Sequence, residues 1–444
     1  MFSETRRQII HIVMAGFALA LRFLTWWQAA LCALVALLFN AFVLPRLAGT
    51  SLSRPVDRSR GYVLGILLYP LAVFLLILAF PTRPDIAAAS WGILACGDGA
   101  ATLAGRAWGH RTFSWNPDKT YVGTLAFFAS ASVAGVLLAW WTASAVMPVP
   151  STWFIVLAPV AAAGLAALTE TLPIELDDNI TVPAVAGATL WGLSLIDPVD
   201  WAASAPAVIA HVPLAVAVNT VAALAGWRAG TVRVSGMVTG WAVGVIVYAC
   251  AGWQGWLLLF VTFLAASGSS RLGLKRKSVL GIAEERGGRR GGSNAFANTG
   301  LAAVATLFAV CTPYHDVAML AFVAALATGG SDTVASEIGK AWGGKTYLVT
   351  TLSQVRPGTP GAMSLEGTAA GLIAALVLAW LGAALGLIPG TWLWLVVAGA
   401  FTGSLVESAL AATLEGAGIV NNDVLNFLNT AAGAIVTIVL MRVM

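Results

Sequence analysis

Long apolar runs, separated by short polar segments, dominate the chain. They fall near 9–27, 28–45, 62–80, 86–104, 122–146, 152–172, 181–197, 206–226, 235–251, 253–268, 295–311, 316–335, 366–388, 391–413 and 424–441. Most approach the roughly 17–25 residues a helix needs to cross a bilayer, so about fifteen crossings are expected. The runs are continuously apolar rather than alternating, which predicts membrane helices and argues against a barrel.

Composition agrees: 59% of residues are hydrophobic and 10% charged, with a mean hydropathy of +0.86. The expectation is an all-α, polytopic integral membrane protein. Lys and Arg gather in cytoplasmic loops, which fixes the orientation. Arg6 and Arg7 place the N-terminus inside, and alternate loops carry Arg46, Arg54, Arg58, Arg60, Arg106, Arg111, Lys119, Arg228, Arg233, the run from Lys275 to Arg290, Lys340, Lys345 and Arg356. Arg83 and Arg442 are the exceptions. A bacterial inner membrane with the sites facing the cytoplasm is the expected location. The net charge of +4 then reports topology and anionic ligands, and no nucleic-acid partner is expected. Arg6-Arg7 before an apolar run also has the look of an export signal, but the many following spans favour an uncleaved first helix. Cys32, Cys96, Cys250 and Cys311 lie in separate segments, with no disulfide or zinc spacing.

One pattern occurs twice. Asp98 is followed after six residues by Gly105-Arg106-Ala107-Trp108-Gly109, and Asp332 after six residues by Gly339-Lys340-Ala341-Trp342-Gly343; Gly123-Thr124 and Gly367-Thr368 then open the next apolar runs. Lipid-facing segments need neither the tryptophan nor the carboxylate, so the agreement marks a repeated site. An ionised aspartate near the hydrocarbon costs on the order of 2.5–3.5 kcal/mol, which makes an intramembrane carboxylate a functional candidate; one paired to a neighbouring helix for packing is the bland alternative. The cations Arg106, Lys119, Lys340 and Lys345 suit phosphate, and the helix start near Gly123-Thr124, after the polar segment containing Asn116, would offer amides to an anion.

Glu170 with Asp177, Asp178 and Asn179, and Glu407 with Asn422 and Asp423, form oxygen-rich groups suited to Mg²⁺. Glu175 belongs to the first group by position; a solvated acidic loop is the alternative for Asp177 and Asp178. Asn422, Asn426 and Asn429 share a helix face that lines a polar cavity or hydrogen-bonds a neighbouring helix. The run from Ser267 to Asn294 reads either as a solvated cytoplasmic loop or as an arginine-bearing cover for a phosphate ligand. Gly339 through Thr346 satisfies the P-loop expression, but an apolar helix precedes it where a strand is required, so that reading is refused.

As sets, these motifs resemble known families. Residues 1–205, through Arg6-Arg7-Gln8-Ile9-Ile10-His11, Cys96-Gly97-Asp98-Gly99, Gly105-Arg106, Asn116-Pro117-Asp118-Lys119-Thr120 and Asp177-Asp178-Asn179, resemble the phytol kinase and dolichol kinase family. Residues 206–444, through Gly287-Gly288-Arg289-Arg290, Ser331-Asp332-Thr333 to Glu337, Arg356-Pro357-Gly358-Thr359 and Ser364-Leu365-Glu366-Gly367-Thr368, resemble the family that contains plant phytyl-phosphate kinase. The resemblance implies a fusion of two membrane kinase halves on a phosphatidate cytidylyltransferase-type fold. It also implies CTP as phosphoryl donor with Mg²⁺, an isoprenoid alcohol as first substrate and its prenyl monophosphate as second. Asp98, Asp332, Lys119 and Lys340 would then be catalytic. Phosphate or nucleotide contacts would fall to Arg106, Asn116, Gly123, Thr124, Glu337, Lys345, Arg290, Gly358, Thr359, Ser364, Gly367 and Thr368, and metal binding to Asp98, Glu170, Asp177, Asp178, Asn179, Asp332, Glu407, Asn422 and Asp423. A lipid-phosphate cytidylyltransferase, a transporter with parallel repeats and a scaffold are the competing readings.

Overall fold

The computed structural model describes residues 4–48, 64–172, 176–282, 289–416 and 420–444. Arg54, Arg58, Arg60, Glu175 and the Gly287-Gly288 part of the basic run lie outside the described residues. The chain is an all-α membrane protein, with eleven helices among the described residues long and apolar enough to cross a bilayer and a shorter apolar one at Gly65–Ala79. It divides into two compact units, residues 1–195 and 196–444.

The first unit runs through α1 (Glu4–Met14), α2 (Trp26–Leu38), α3 (Leu64–Ala79), α4 (Pro84–Trp108), the strands β1 (Thr112–Phe113) and β2 (Asn116–Thr120), α5 (Tyr121–Thr142), α6 (Thr152–Thr171) and α7 (Asp178–Ser194). The second runs through α8 (Pro198–Arg228), α9 (Val234–Arg271), α10 (Leu274–Val279), α11 (Gly292–Cys311), α12 (His315–Trp342), three short strands β3 (Thr346–Leu348), β4 (Gln354–Val355) and β5 (Ala362–Ser364), α13 (Leu365–Ala384), α14 (Leu393–Leu410) and α15 (Asn422–Val443). β1 and β2 form an antiparallel hairpin, and β3 lies between β4 and β5.

Each unit is built round one helix. In α4 and in α12, 72% of the most apolar window is buried, against 50% or less in every other candidate span. Both are rich in Ala and Gly, which lets neighbouring helices approach closely where lipid supplies no hydrophobic drive. α4 packs against α1, α5, α6 and α7, and α12 against α9, α11, α13, α14 and α15. These central helices carry Asp98 and Asp332.

The expected spans differ from the helices in instructive places. Residues 9–27 divide into α1, polar through Arg6, Arg7, Gln8 and His11, and a 3₁₀ segment, Ala15–Arg22. Residues 235–251 and 253–268 agree with expectation and form two helical segments of α9 divided at Gly252, whose φ is 67°; an unbroken helix over Val234–Arg271 would be about 57 Å long, nearly twice a hydrocarbon core of about 30 Å. Pro206 and Pro213, next to the expected boundary between residues 205 and 206, sit inside α8, because proline is tolerated where neighbouring groups satisfy the freed carbonyls in a membrane helix. Arg83, an exception to the charge rule, makes a bidentate pair with the buried Asp85 at 2.9 and 2.8 Å and stacks over Phe154.

Candidate active site

The duplicated motif is also duplicated in structure. In the first unit α4 meets the start of α5, where Thr120 Oγ1 accepts from Gly123 N at 3.0 Å; in the second α12 meets the start of α13, where Ser364 Oγ accepts from Gly367 N at 3.1 Å. Both are helix N-caps. Neither junction leaves room for side chains. A Cβ on Gly123 would lie 3.1 Å from the Ala101 carbonyl oxygen, and one on Gly367 2.6 Å from that of Ala335. A Cβ on Gly105 would lie 3.0 Å from the Thr120 hydroxyl, and one on Gly339 3.1 Å from that of Ser364. The glycines of the repeat therefore permit a helix crossing; in the first unit Arg106 lines a pocket with Gly123 and Thr124 at the start of α5, and in the second Lys340 follows the glycine that packs on the start of α13.

In the first unit three carboxylates converge. Asp98 on α4, Glu170 at the end of α6 and Asp178 at the start of α7 each place a ligand oxygen within 4.8 Å of the others. Lys119, on the β1–β2 hairpin, reaches Glu170 Oε1 at 2.7 Å and Asp178 Oδ2 at 2.8 Å. The hairpin is held over α6 by Trp115 Nε1 donating to the Thr171 carbonyl at 3.1 Å and by Asn116 Nδ2 donating to the Leu172 carbonyl at 3.4 Å. Burial works against the Lys119 ammonium, but Glu170 and Asp178 outweigh it and hold its pKa above the ordinary lysine value. Burial pushes the Asp178 carboxyl up, and Lys119 opposes the shift. Glu170 Oε2 is buried without a hydrogen-bond partner among the described residues. An open pocket beside these groups is lined by Arg106, Lys119, Gly123, Thr124 and Glu170.

Two of the expected ligands are engaged locally: Asp177 caps α7, its Oδ1 accepting from Asn179 N at 2.9 Å and from Asn179 Nδ2 at 2.7 Å. His11 enters the site instead, with Nε2 3.9 Å from Asp98 Oδ2, and its backbone carbonyl accepts from Tyr69, whose hydroxyl accepts from Trp91. The sequence signal for His11 was its place in the Arg6–His11 motif; its approach to Asp98 needed the packing of α1 on α4.

The second unit distributes its charges differently. Asp332 interacts with the Ser404 hydroxyl and with Lys340, and Glu407 lies within electrostatic reach of Asp332, Lys340 and Glu415. Glu337, expected at the phosphate, is 2% exposed and bonded to Lys277, itself 1% exposed. Lys277 also donates to the Ser270 carbonyl at 2.8 Å, and Lys340 stands 3.4 Å from the other Glu337 oxygen. The basic run, read from sequence either as a solvated loop or as a cover for a phosphate ligand, sends one lysine inward, where the buried Glu337 carboxylate compensates its charge. Among the described residues no trio of acidic, histidine or cysteine ligands gathers here as in the first unit. Asn421 caps α15; Asn422 is exposed and Asp423 half-buried in its first turn. Further along, Asn429 is fully buried, with neither side-chain polar atom hydrogen-bonded among the described residues.

The remaining expected contacts sit on the connecting loops. Lys345 is exposed ahead of β3. Gly358 adopts a φ of 85° in a turn that Thr359 closes by donating to the Arg356 carbonyl at 2.8 Å. Thr368 follows Gly367 in the first turn of α13. Arg290 is tied through its backbone to Thr231 and Arg233 and lines an apolar cavity. The refused P-loop reading agrees with the structure: α12 precedes the segment and strand β3 follows.

Comparison with known proteins identifies relatives. The family model described as Integral membrane protein DUF92 matches residues 217–434. An uncharacterized membrane protein of Synechocystis is 41% identical over 201 residues, 45% of this chain and 78% of that protein. Protein VTE6, chloroplastic, of Arabidopsis thaliana is 35% identical over 47% of this chain and 65% of its own length. Phytol kinase 1, chloroplastic, of the same plant is 30% identical over 28% of this chain and 42% of its own. The chain thus spans less than two thirds of each of these plant relatives. No solved structure matches significantly. The chain belongs to the DUF92 family of integral membrane proteins and is homologous to phytol kinases.

Proposed function

We propose that the protein is a bifunctional membrane kinase that phosphorylates an isoprenoid alcohol in its first unit and the resulting prenyl monophosphate in its second, with CTP as donor. The observation that carries this reading is the pair of matching helix junctions, each packing the helix that bears the carboxylate and cation of the repeat against a capped helix N-terminus, in a chain related to proteins named phytol kinase. Phosphoryl transfer needs positioning and charge neutralisation more than covalent help, and the residues present are of those types.

In the first unit the prenol hydroxyl attacks the γ-phosphorus of CTP, the bond to the β-phosphate oxygen breaks, CDP leaves and the hydroxyl proton passes to Asp98. Arg106 and Lys119 hold the transferring phosphate, and the first turn of α5 at Gly123 and Thr124 faces the same pocket. The hard oxygen donors of Asp98, Glu170 and Asp178, with Glu170 Oε2 unpartnered, fit Mg²⁺. When bound, Mg²⁺ supplies charge neutralisation on the nucleotide phosphates. In the second unit Asp332 and Glu407 take the corresponding places, with Lys340 on the phosphate. Both sites face the cytoplasm, where the nucleotide arrives from water while the chain of the substrate stays in lipid.

The test uses purified protein in lipid nanodiscs with CTP labelled at the γ or α position and a panel of prenols. The reading expects γ-label in prenyl mono- and diphosphates, with CDP released and turnover lost in excess EDTA. Transfer of α-label with release of pyrophosphate would instead identify a cytidylyltransferase.

A further inference from the structure

The acidic trio of the first unit already holds a cation of the protein's own. Lys119 Nζ lies 2.7 Å from Glu170 Oε1 and 2.8 Å from Asp178 Oδ2. The ammonium therefore fills the gap between two of the three carboxylates whose ligand oxygens gather within 4.8 Å of one another. It does not satisfy the whole group. Glu170 is 6% exposed, and its Oε2 has no hydrogen-bond partner among the described residues. A buried carboxylate oxygen left without a donor is costly, and one that adjoins further carboxylates suits a hard divalent cation.

The backbone on both sides of Lys119 is pinned, whereas its side chain can swing. Trp115 and Asn116 hold the hairpin to the end of α6, and Thr120, the next residue, caps α5 through Gly123 N. Between these anchors a flexible four-carbon stem carries a compact charge, with 26% of the side chain exposed. The pocket that Lys119 lines also contains Arg106 and the first turn of α5 at Gly123 and Thr124, where an anion would meet a helix N-terminus. One ammonium thus stands within reach of two kinds of anion, the carboxylates behind it and a phosphate in the pocket.

We propose that Lys119 is the resident counter-ion of the metal site: it holds Glu170 and Asp178 in the free protein, keeps a divalent cation off them, and gives them up when a nucleotide phosphate in the adjoining pocket draws it away. The inference rests on the kinase reading above and deepens it by naming how the site fills. Two cations on the same carboxylates repel, and more strongly where water is scarce. Moving the lysine onto phosphate removes that repulsion and leaves both anions compensated. Metal and nucleotide then bind as a coupled pair, each tightening the other by the same factor.

The test reads metal binding without turnover. Mn²⁺ binding to the full-length protein in nanodiscs is followed by electron paramagnetic resonance, with and without β,γ-methylene-CTP, the Mn²⁺ held by free nucleotide being subtracted. Coupling between sites is typically about 5–150-fold, so Lys119→Met is expected to tighten Mn²⁺ alone by about tenfold and to shrink the further tightening by the analogue by a similar factor. Arg106→Met removes an equal charge from the same pocket and is the control; it should tighten Mn²⁺ alone much less. Equal tightening in the two variants reduces the effect to general electrostatics and overturns the proposal. An analogue effect as large in Lys119→Met as in the parent overturns it too, while leaving the kinase reading intact. Tightening by Lys119→Met with no response of either protein to the analogue keeps the lysine on the metal site and removes the nucleotide, and with it the kinase reading. The parent protein supplies a readout that needs no variant: saturating Mn²⁺ should raise acylation of Lys119 by an N-hydroxysuccinimide ester severalfold, measured on peptides by mass spectrometry, because the metal releases the ammonium from its carboxylates. Unchanged acylation would show that the lysine stays in place and overturn the exchange.

Discussion

In the first unit the cation between the carboxylates is carried by a hairpin: Lys119 spans Glu170 and Asp178 and stays 26% exposed. In the second, two lysines divide the corresponding work. Lys277, from the short helix α10, is buried against Glu337, while Lys340 is 30% exposed beside the same glutamate and interacts with Asp332. A half-exposed cation can exchange a carboxylate for an arriving phosphate; a buried one cannot leave without stranding its partner's charge. On the proposed function the comparison separates a lysine placed for chemistry, Lys119, from one whose buried ion pair holds the fold, Lys277.

Substitutions can break that distinction. The largest effect on stability is expected at Lys277: Lys277→Met leaves the buried Glu337 carboxylate with Lys340 alone, 3.4 Å from its other oxygen, and losing one partner of a buried pair costs up to about 3–5 kcal/mol. A thermal melt of the purified variant should show it, and Lys277→Met with Glu337→Leu should recover most of the loss. Lys119→Met is the contrasting case. Removing a charge-stabilising donor typically lowers turnover by roughly 10²–10³, so alcohol phosphorylation should fall by about that factor while monophosphate phosphorylation changes little; because Glu170 is buried, the melting temperature should also fall, but by less than in Lys277→Met, where both partners are buried.

The two helix junctions sharpen the comparison on a smaller scale. Gly367→Ala forces a methyl group to within 2.6 Å of the Ala335 carbonyl oxygen, whereas Gly123→Ala meets that of Ala101 at 3.1 Å. Overpacking costs about 1–3 kcal/mol, and Gly367→Ala should lie toward the upper end and Gly123→Ala toward the lower in the same melting experiment. Smallest is the loss of the caps: Thr120→Ala and Ser364→Ala should each cost about 1 kcal/mol, nearly equal in the two units because the cap geometry is the same.

The membrane helices and the repeated motif could be read from the chain, because apolar run length and residue spacing carry them, and the structure brings Asp98, Glu170 and Asp178, grouped beforehand through the family resemblance, within reach of one another. What could not be read depends on contacts between segments distant in sequence. Glu337 sits in a basic motif and reads as a phosphate contact until α10 packs on α12 and brings Lys277 to it. His11 stands over eighty residues from Asp98. The break at Gly252, where φ turns to 67°, falls between two apolar runs that hydropathy alone separates.

Two separate sites are the central claim, and step-resolved phosphorylation in Asp98→Asn and Asp332→Asn tests it most directly. With γ-labelled CTP, the account predicts that Asp98→Asn abolishes formation of monophosphate from prenol but still converts supplied monophosphate to diphosphate, and that Asp332→Asn does the reverse. Loss of both steps from either single substitution, in protein that still melts as the parent does, would contradict it.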